Sequence, residues 1–145
     1  MKINLPLVGI SITGLLVMFG LSGCTGNGPQ FTAPQKASKG NGMLYVYRQS
    51  RFVGGGMHYD VKVDNHIIGS MDNGEYIARE LSPGTKTVSA KTEVTVTTPV
   101  VIQKNTMTCV KAGVGFGILV GRPTLKLVDN TTCLKEIKNT VKSVD

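Results

Sequence analysis

A protein that does chemistry unaided needs a nucleophile beside a base, a pair of carboxylates, or a set of metal ligands. This sequence holds two histidines, His58 and His66. Asp64-Asn65 reads as a two-residue hairpin turn, which sets Val63 opposite His66 and leaves His58 well down the strand on the other face. The two rings are therefore not expected to share a metal. His58 and Asp60 fall on one strand face and could act as a base and its orienting carboxylate; a solvated strand pair is the plainer reading. Glu75 and Glu80 could lie near a common edge, but nothing separates them from two solvated carboxylates. No serine sits in a G-x-S-x-G elbow and no H-E-x-x-H is present. The expectation is a protein that is not an enzyme and uses no cofactor or metal.

Two other clusters could bind rather than react. Tyr45, Tyr47, Arg48, Arg51 and Phe52 form an aromatic–basic group, and Tyr and Arg are enriched among interface anchors. Read as structure, the same residues are strand core with a solvated rim. Segment 112–121, AGVGFGILVG, alternates glycine with large apolar residues. It lacks the Lys-Ser/Thr ending of a phosphate loop. As a strand it would place its glycines on one face and Val114, Phe116, Ile118 and Val120 on the other. A packed or bent strand is the leading reading, and a protein- or membrane-contacting surface the next.

The amino terminus speaks of address. Lys2 is followed by a nearly continuous apolar run over residues 5–21, and then by Leu21-Ser22-Gly23-Cys24. These four residues resemble the lipobox of bacterial lipoproteins: an apolar residue, two small ones, then a thiol able to carry diacylglycerol. The resemblance implies a signal peptide over 1–23 and an acylated, palmitate-bearing Cys24 as the first mature residue. The other reading is an uncleaved membrane anchor. Thr25, not Asp, follows the cysteine, which in the enterobacterial sorting rule implies the outer membrane, facing the periplasm. Of three cysteines, Cys24 is then used, and Cys109 and Cys133 most simply form a disulfide in an oxidising compartment. Neither lies in a C-x-x-C or beside a histidine, which disfavours a reactive thiol or metal pair. The net charge of +7 is scattered, and export disfavours nucleic acid as a partner.

The elements follow from period and punctuation. Residues 25–42 are rich in Gly, Pro, Ser, Asn and Gln and read as a flexible tether with a reach of roughly 20–25 Å. From Met43 onward the pattern has period two, with strands expected over 43–48, 57–63, 67–69, 76–81, 85–98, 100–102, 107–112 and 124–128. Turns are expected at Asp64-Asn65, 72–74, 82–84 and Lys104-Asn105, with Pro99 ending a run. Leu134, Ile137 and Val141 share one helical face, so 131–143 reads as one amphipathic helix able to cover an open edge or end. The expected fold is all-β: a sandwich or partly open barrel of about seven to eight mostly antiparallel strands with one C-terminal helix. Residues 43–145 form the domain, 24–42 the acylated cysteine and tether.

Segments 61–69 (VKVDNHIIG), 74–76 (GEY) and 81–88 (LSPGTKTV) resemble the PEGA-type surface module, with Asn65 for the hairpin Gly and Lys86 for the usual His. With 45–48 and 51–54 in front, the chain is similar to an uncharacterised family of small bacterial lipoproteins, a domain of unknown function. The resemblance implies a fold and carries no activity. The functional expectation is a non-enzymatic lipoprotein anchored in the outer membrane through its N-terminal lipid. It would bind an envelope protein or serve as an accessory part of an envelope assembly. A glycan- or peptidoglycan-binding module and an inhibitor or immunity lipoprotein are the alternatives.

Overall fold

The computed structural model describes residues 26–144; Cys24 and the apolar run before it lie outside the described residues. The elements are β1 (Gly42–Arg48), β2 (Tyr59–Val63), β3 (His66–Met71), β4 (Glu75–Leu81), β5 (Gly84–Lys91), β6 (Thr95–Ile102), β7 (Met107–Gly115), β8 (Arg122–Val128), α1 (Asn130–Ile137) and β9 (Val141–Lys142). They build a five-stranded sheet in the order β8-β7-β1-β4-β9 and a four-stranded sheet in the order β3-β2-β5-β6. The sandwich expected from the sequence is therefore present, and no barrel closes among the described residues. Pairing is antiparallel except for β1 with β7 and β4 with β9.

Two cores share the five-stranded sheet. Leu44 and Val46 of β1 point between the sheets, where they meet Val61, Met71, Val88, Val100 and Val110. Met43, Tyr45 and Tyr47 point to the outer face and join Phe31, Tyr76, Cys109, Cys133 and Ile137. Every residue of β1 is consequently buried. This explains its unbroken apolar run, which a strand with one wet face does not need.

The outer core is covered by the two segments whose sequence reading changes most. Residues 26–42, expected to be a flexible tether, form a strap along the sheet. Gln30 bridges to Val141, Phe31 is buried edge-on against Tyr45 and Tyr76, and the Gln35 amide donates to the Tyr45 hydroxyl at 2.6 Å. One large aromatic side chain, with a few backbone and side-chain bonds, thus docks a polar, proline-bearing stretch. The helix is shorter than expected and lies on a sheet face rather than over an edge. Asp129 caps it, accepting from the Thr132 amide at 2.9 Å. It stops at Ile137 because the Thr140 amide and hydroxyl both bond the Ile137 carbonyl. Val141 and Lys142 then pair with Glu75 and Tyr76 as β9. Backbone pairing and β-branched residues outweigh the helical spacing of Val141.

Local turn chemistry accounts for the rest. Asp64 and Asn65 both adopt positive φ (47° and 68°), as a two-residue hairpin with matching twist requires. Pro99 does not end its strand; it pairs with Thr87 inside β6, an edge strand where its missing N–H costs no ladder bond. The disulfide joins Cys109 of β7 to Cys133 of α1, as the sequence suggests, with Cα atoms 6.2 Å apart.

Candidate functional site

One end of the sandwich carries most of the irregular backbone. β1 and β7 run parallel, Arg48 beside Ala112, so both finish there. The chain leaves β1 into loop 49–58, and β7 into loop 116–121. The turns at 72–74 and 92–94 lie at the same end, before β4 and after β5.

Arg48 organises this end from inside. It is 3% exposed, and its guanidinium donates to the Met57 carbonyl at 2.5 Å and the Gly54 carbonyl at 2.6 Å. It also lies 5.7 Å from the centre of the Tyr59 ring. Burial pulls its pKa down, opposed by the fields of Tyr59, Asp72 and Glu75. Burial likewise pushes the Tyr59 hydroxyl up to about 12. Asn73 latches the neighbouring turn to the loop, accepting from the Arg51 amide at 3.0 Å and donating to the Arg51 carbonyl at 2.9 Å. Glycine at 54 is required twice over: φ is +75°, and a side chain would press on Val114.

Of the five residues expected to form an exposed binding face, three do not reach the surface. Tyr45 and Tyr47 are fully buried on the outer face of the sheet, and Arg48 is buried on the inner face. Alternation along β1 splits the group, so the tyrosines offer no stacking platform. Arg51 and Phe52 are exposed in loop 49–58. Tyr47 instead ties the helix to the sheet. Its hydroxyl donates to Glu136 at 2.6 Å, and Lys111 joins the same carboxylate at 2.8 Å. Those bonds, Lys111 first, hold the Glu136 carboxyl below the usual range, while burial and the adjacent carboxylate raise the Tyr47 pKa.

Beside this cluster an open groove of about 510 Å³ runs between β7, β8 and α1. Arg51, Lys111 and Lys126 line it with Thr124, Thr132 and Glu136. Lys111 is paired; Arg51 and Lys126 are exposed. The groove can therefore take a negatively charged segment between threonine hydroxyls.

The glycine-rich segment departs from its expected strand register. β7 ends at Gly115, and 116–121 closes as a loop around Glu93 from the 92–94 turn. The Glu93 carboxylate accepts the amides of Ile118 at 2.9 Å and Leu119 at 3.1 Å, with Val120 at 3.5 Å, and pairs with Arg122 at 3.1 Å. Successive amides aimed at one carboxylate make a nest, and these bonds lower the Glu93 pKa to about 2. A side chain at position 117 would overlap the Val120 carbonyl and the Glu93 carboxylate. Gly117 and Gly121 thus serve the loop closure, while Gly113 and Gly115 stay in the strand, paired with Thr124 and Arg122 of β8. Glu93 escapes a reading of the sequence because a lone carboxylate between Thr92 and Val94 carries no local signal.

The histidines lie at opposite ends of β2, His58 before it and His66 opposite Val63. Glu75 and Glu80 occupy opposite ends of β4, five residues or about 17 Å apart. Among the described residues no group of three or more His, Cys, Asp and Glu gathers as metal ligands.

The family described as "Protein of unknown function (DUF2846)" matches residues 38–115, more than half of the chain. The match covers β1 to β7 and stops before loop 116–121, the helix and Cys133. No curated protein and no solved structure matches the chain.

Proposed function

The chain belongs to the DUF2846 family of proteins of unknown function, and from that premise we propose that it is a non-enzymatic lipoprotein of the bacterial envelope. It is held in the outer membrane by an acylated Cys24 and captures an envelope protein through the Arg51–Lys111–Lys126 groove. The observation that carries the anchoring is Leu21-Ser22-Gly23-Cys24 behind an apolar run. Two or more acyl chains bury enough CH₂ groups, at about 0.8 kcal/mol each, to make attachment effectively permanent. The groove supports the capture: exposed cations beside threonines suit an acidic, extended segment of a partner.

Two measurements test the halves separately. Cys24→Ser abolishes labelling by radioactive palmitate and releases the protein from the membrane fraction; labelling that persists in the variant removes the anchor. In crosslinking capture from native membranes, the Arg51→Ala/Lys126→Ala variant loses its partner. An interface anchor is worth about 2 kcal/mol or more, roughly thirtyfold in affinity. Both residues are exposed, so stability should stay within about 0.5 kcal/mol of wild type. Undiminished capture by the double variant takes the groove out of the account.

A further inference from the structure

We infer that the end of the sandwich bearing loops 49–58 and 116–121 inserts into the lipid bilayer, so that the domain stands on the membrane with its apolar loop tips in the interface. The inference rests on the lipid anchoring proposed above and deepens it by fixing which end faces the membrane.

The first observation is the exposure. Phe52 (102%), Phe116 (96%), Leu119 (90%), Ile118 (84%), Val53 (73%) and Val120 (51%) are all displayed to solvent. Single exposed apolar residues are ordinary; six on two adjoining loops are not. The loops adjoin because Gly54 and Gly121 both lie against Val114. Nor is the display an accident of a loose segment. The Glu93 carboxylate gathers the amides of 118–120, and the Thr92 hydroxyl donates to the Gly121 carbonyl at 2.8 Å. The amides of 118–120 and the Gly121 carbonyl are thus bonded within the protein, while the apolar side chains are displayed to solvent. A backbone satisfied within the protein is what a segment entering lipid requires.

The second observation is where the chain enters the domain. Gly26 lies against Glu75, where a side chain at 26 would overlap the carboxylate. Glu75 opens β4, and β4 pairs with the end of β1, Tyr76 opposite Tyr47. The entry point is therefore at the same end as the apolar loops. Only Thr25 stands between Gly26 and Cys24, a reach of at most about 7 Å. From the Arg48–Ala112 level, β7 continues through Gly113, Val114 and Gly115, about 10 Å further, before the loop begins. An acyl group leaving Cys24 thus brings the bilayer surface to the loop tips, and interfacial insertion of about 5–10 Å matches this overhang. Because the strap is docked by Phe31 and the Gln30–Val141 bridge, the long stand-off expected of a free tether is not available.

The test uses the absence of tryptophan from the sequence. The full-length protein carrying Phe116→Trp is reconstituted in vesicles of phosphatidylethanolamine and phosphatidylglycerol, with and without doxyl-labelled acyl chains. Ile67→Trp, at the far end beside the 64–65 hairpin, is the matched control. Intact mass reports acylation in the same samples. The expected result is a blue-shifted emission from the indole at position 116 that loses most of its intensity to doxyl lipid. Emission from the indole at position 67 should not move. Acylated protein in which the indole at 116 is as solvent-exposed and unquenched as the one at 67 overturns the inference and assigns the tips to a protein partner. Unacylated protein overturns the anchoring reading, and this inference with it, by a different readout.

Discussion

Arg48→Ala should destabilise the domain by about 3–5 kcal/mol, although arginine at a strand end commonly reads as rim. The side chain is buried and donates to two carbonyls of loop 49–58. Its removal leaves the Met57 carbonyl without that donor, at about 1–3 kcal/mol for a group left unsatisfied, and takes a charge-assisted bond, worth about 1.5–3 kcal/mol, from the Gly54 carbonyl, which keeps the Met57 amide. The cation over Tyr59 adds roughly 0.5–2 kcal/mol. Lysine recovers only part of this, because one ammonium cannot reproduce the two-pronged fork. Denaturant unfolding of Arg48→Ala, Arg48→Lys and Arg51→Ala in parallel checks the effect. The expected order has Arg48→Ala weakest, Arg48→Lys between, and Arg51→Ala near wild type. Equal midpoints for Arg48→Ala and Arg51→Ala would show that the buried guanidinium contributes nothing.

Arg48 also illustrates which parts of this fold are legible in sequence. The Asp64-Asn65 hairpin is written locally, since both residues tolerate the positive φ that the turn imposes. The strands are written in their alternation. What alternation does not state is how many faces are covered. The run from Met43 to Tyr47 is apolar at every position, and that is the mark of a central strand buried on both sides. Counted that way, Tyr45 and Tyr47 belong to a core, not a binding face. The strap hangs chiefly on Phe31, the one large apolar residue in a polar stretch, too sparse to register as an element. Glu93 and its loop meet across 25 or more residues, beyond the reach of any local pattern. Helical spacing runs on past the true end of α1 for the same reason: the pairing of β9 with Glu75 and Tyr76 is decided by a strand sixty-six residues earlier, not by its neighbours in the chain.

The disulfide is where sequence arithmetic and structure agree, and its loss should be the other large effect. The bond spans 24 residues of sequence, worth about 3 kcal/mol in the chain-entropy model, and native disulfides in small exported domains are worth about 2–5 kcal/mol. The structure adds a reason to expect the upper part of that range. An eight-residue helix is not stable by itself. Its buried contacts are Cys133 and Ile137, and its polar ties are Glu136 to Tyr47 and Lys111. With Cys133→Ser or Cys109→Ser, Ile137 and the Glu136 cluster alone must hold it on the sheet. The outer core around Tyr45, Tyr47 and Phe31 then opens to water, while the core between the sheets keeps its own contacts. Hydrogen exchange should therefore accelerate first in α1, β9 and the strap, ahead of β2 and β5. Protein purified under oxidising conditions should show no free thiol until it is reduced. Two free thiols in that preparation, or uniform exchange across both cores after cysteine replacement, would remove the disulfide as the fastener of the outer layer.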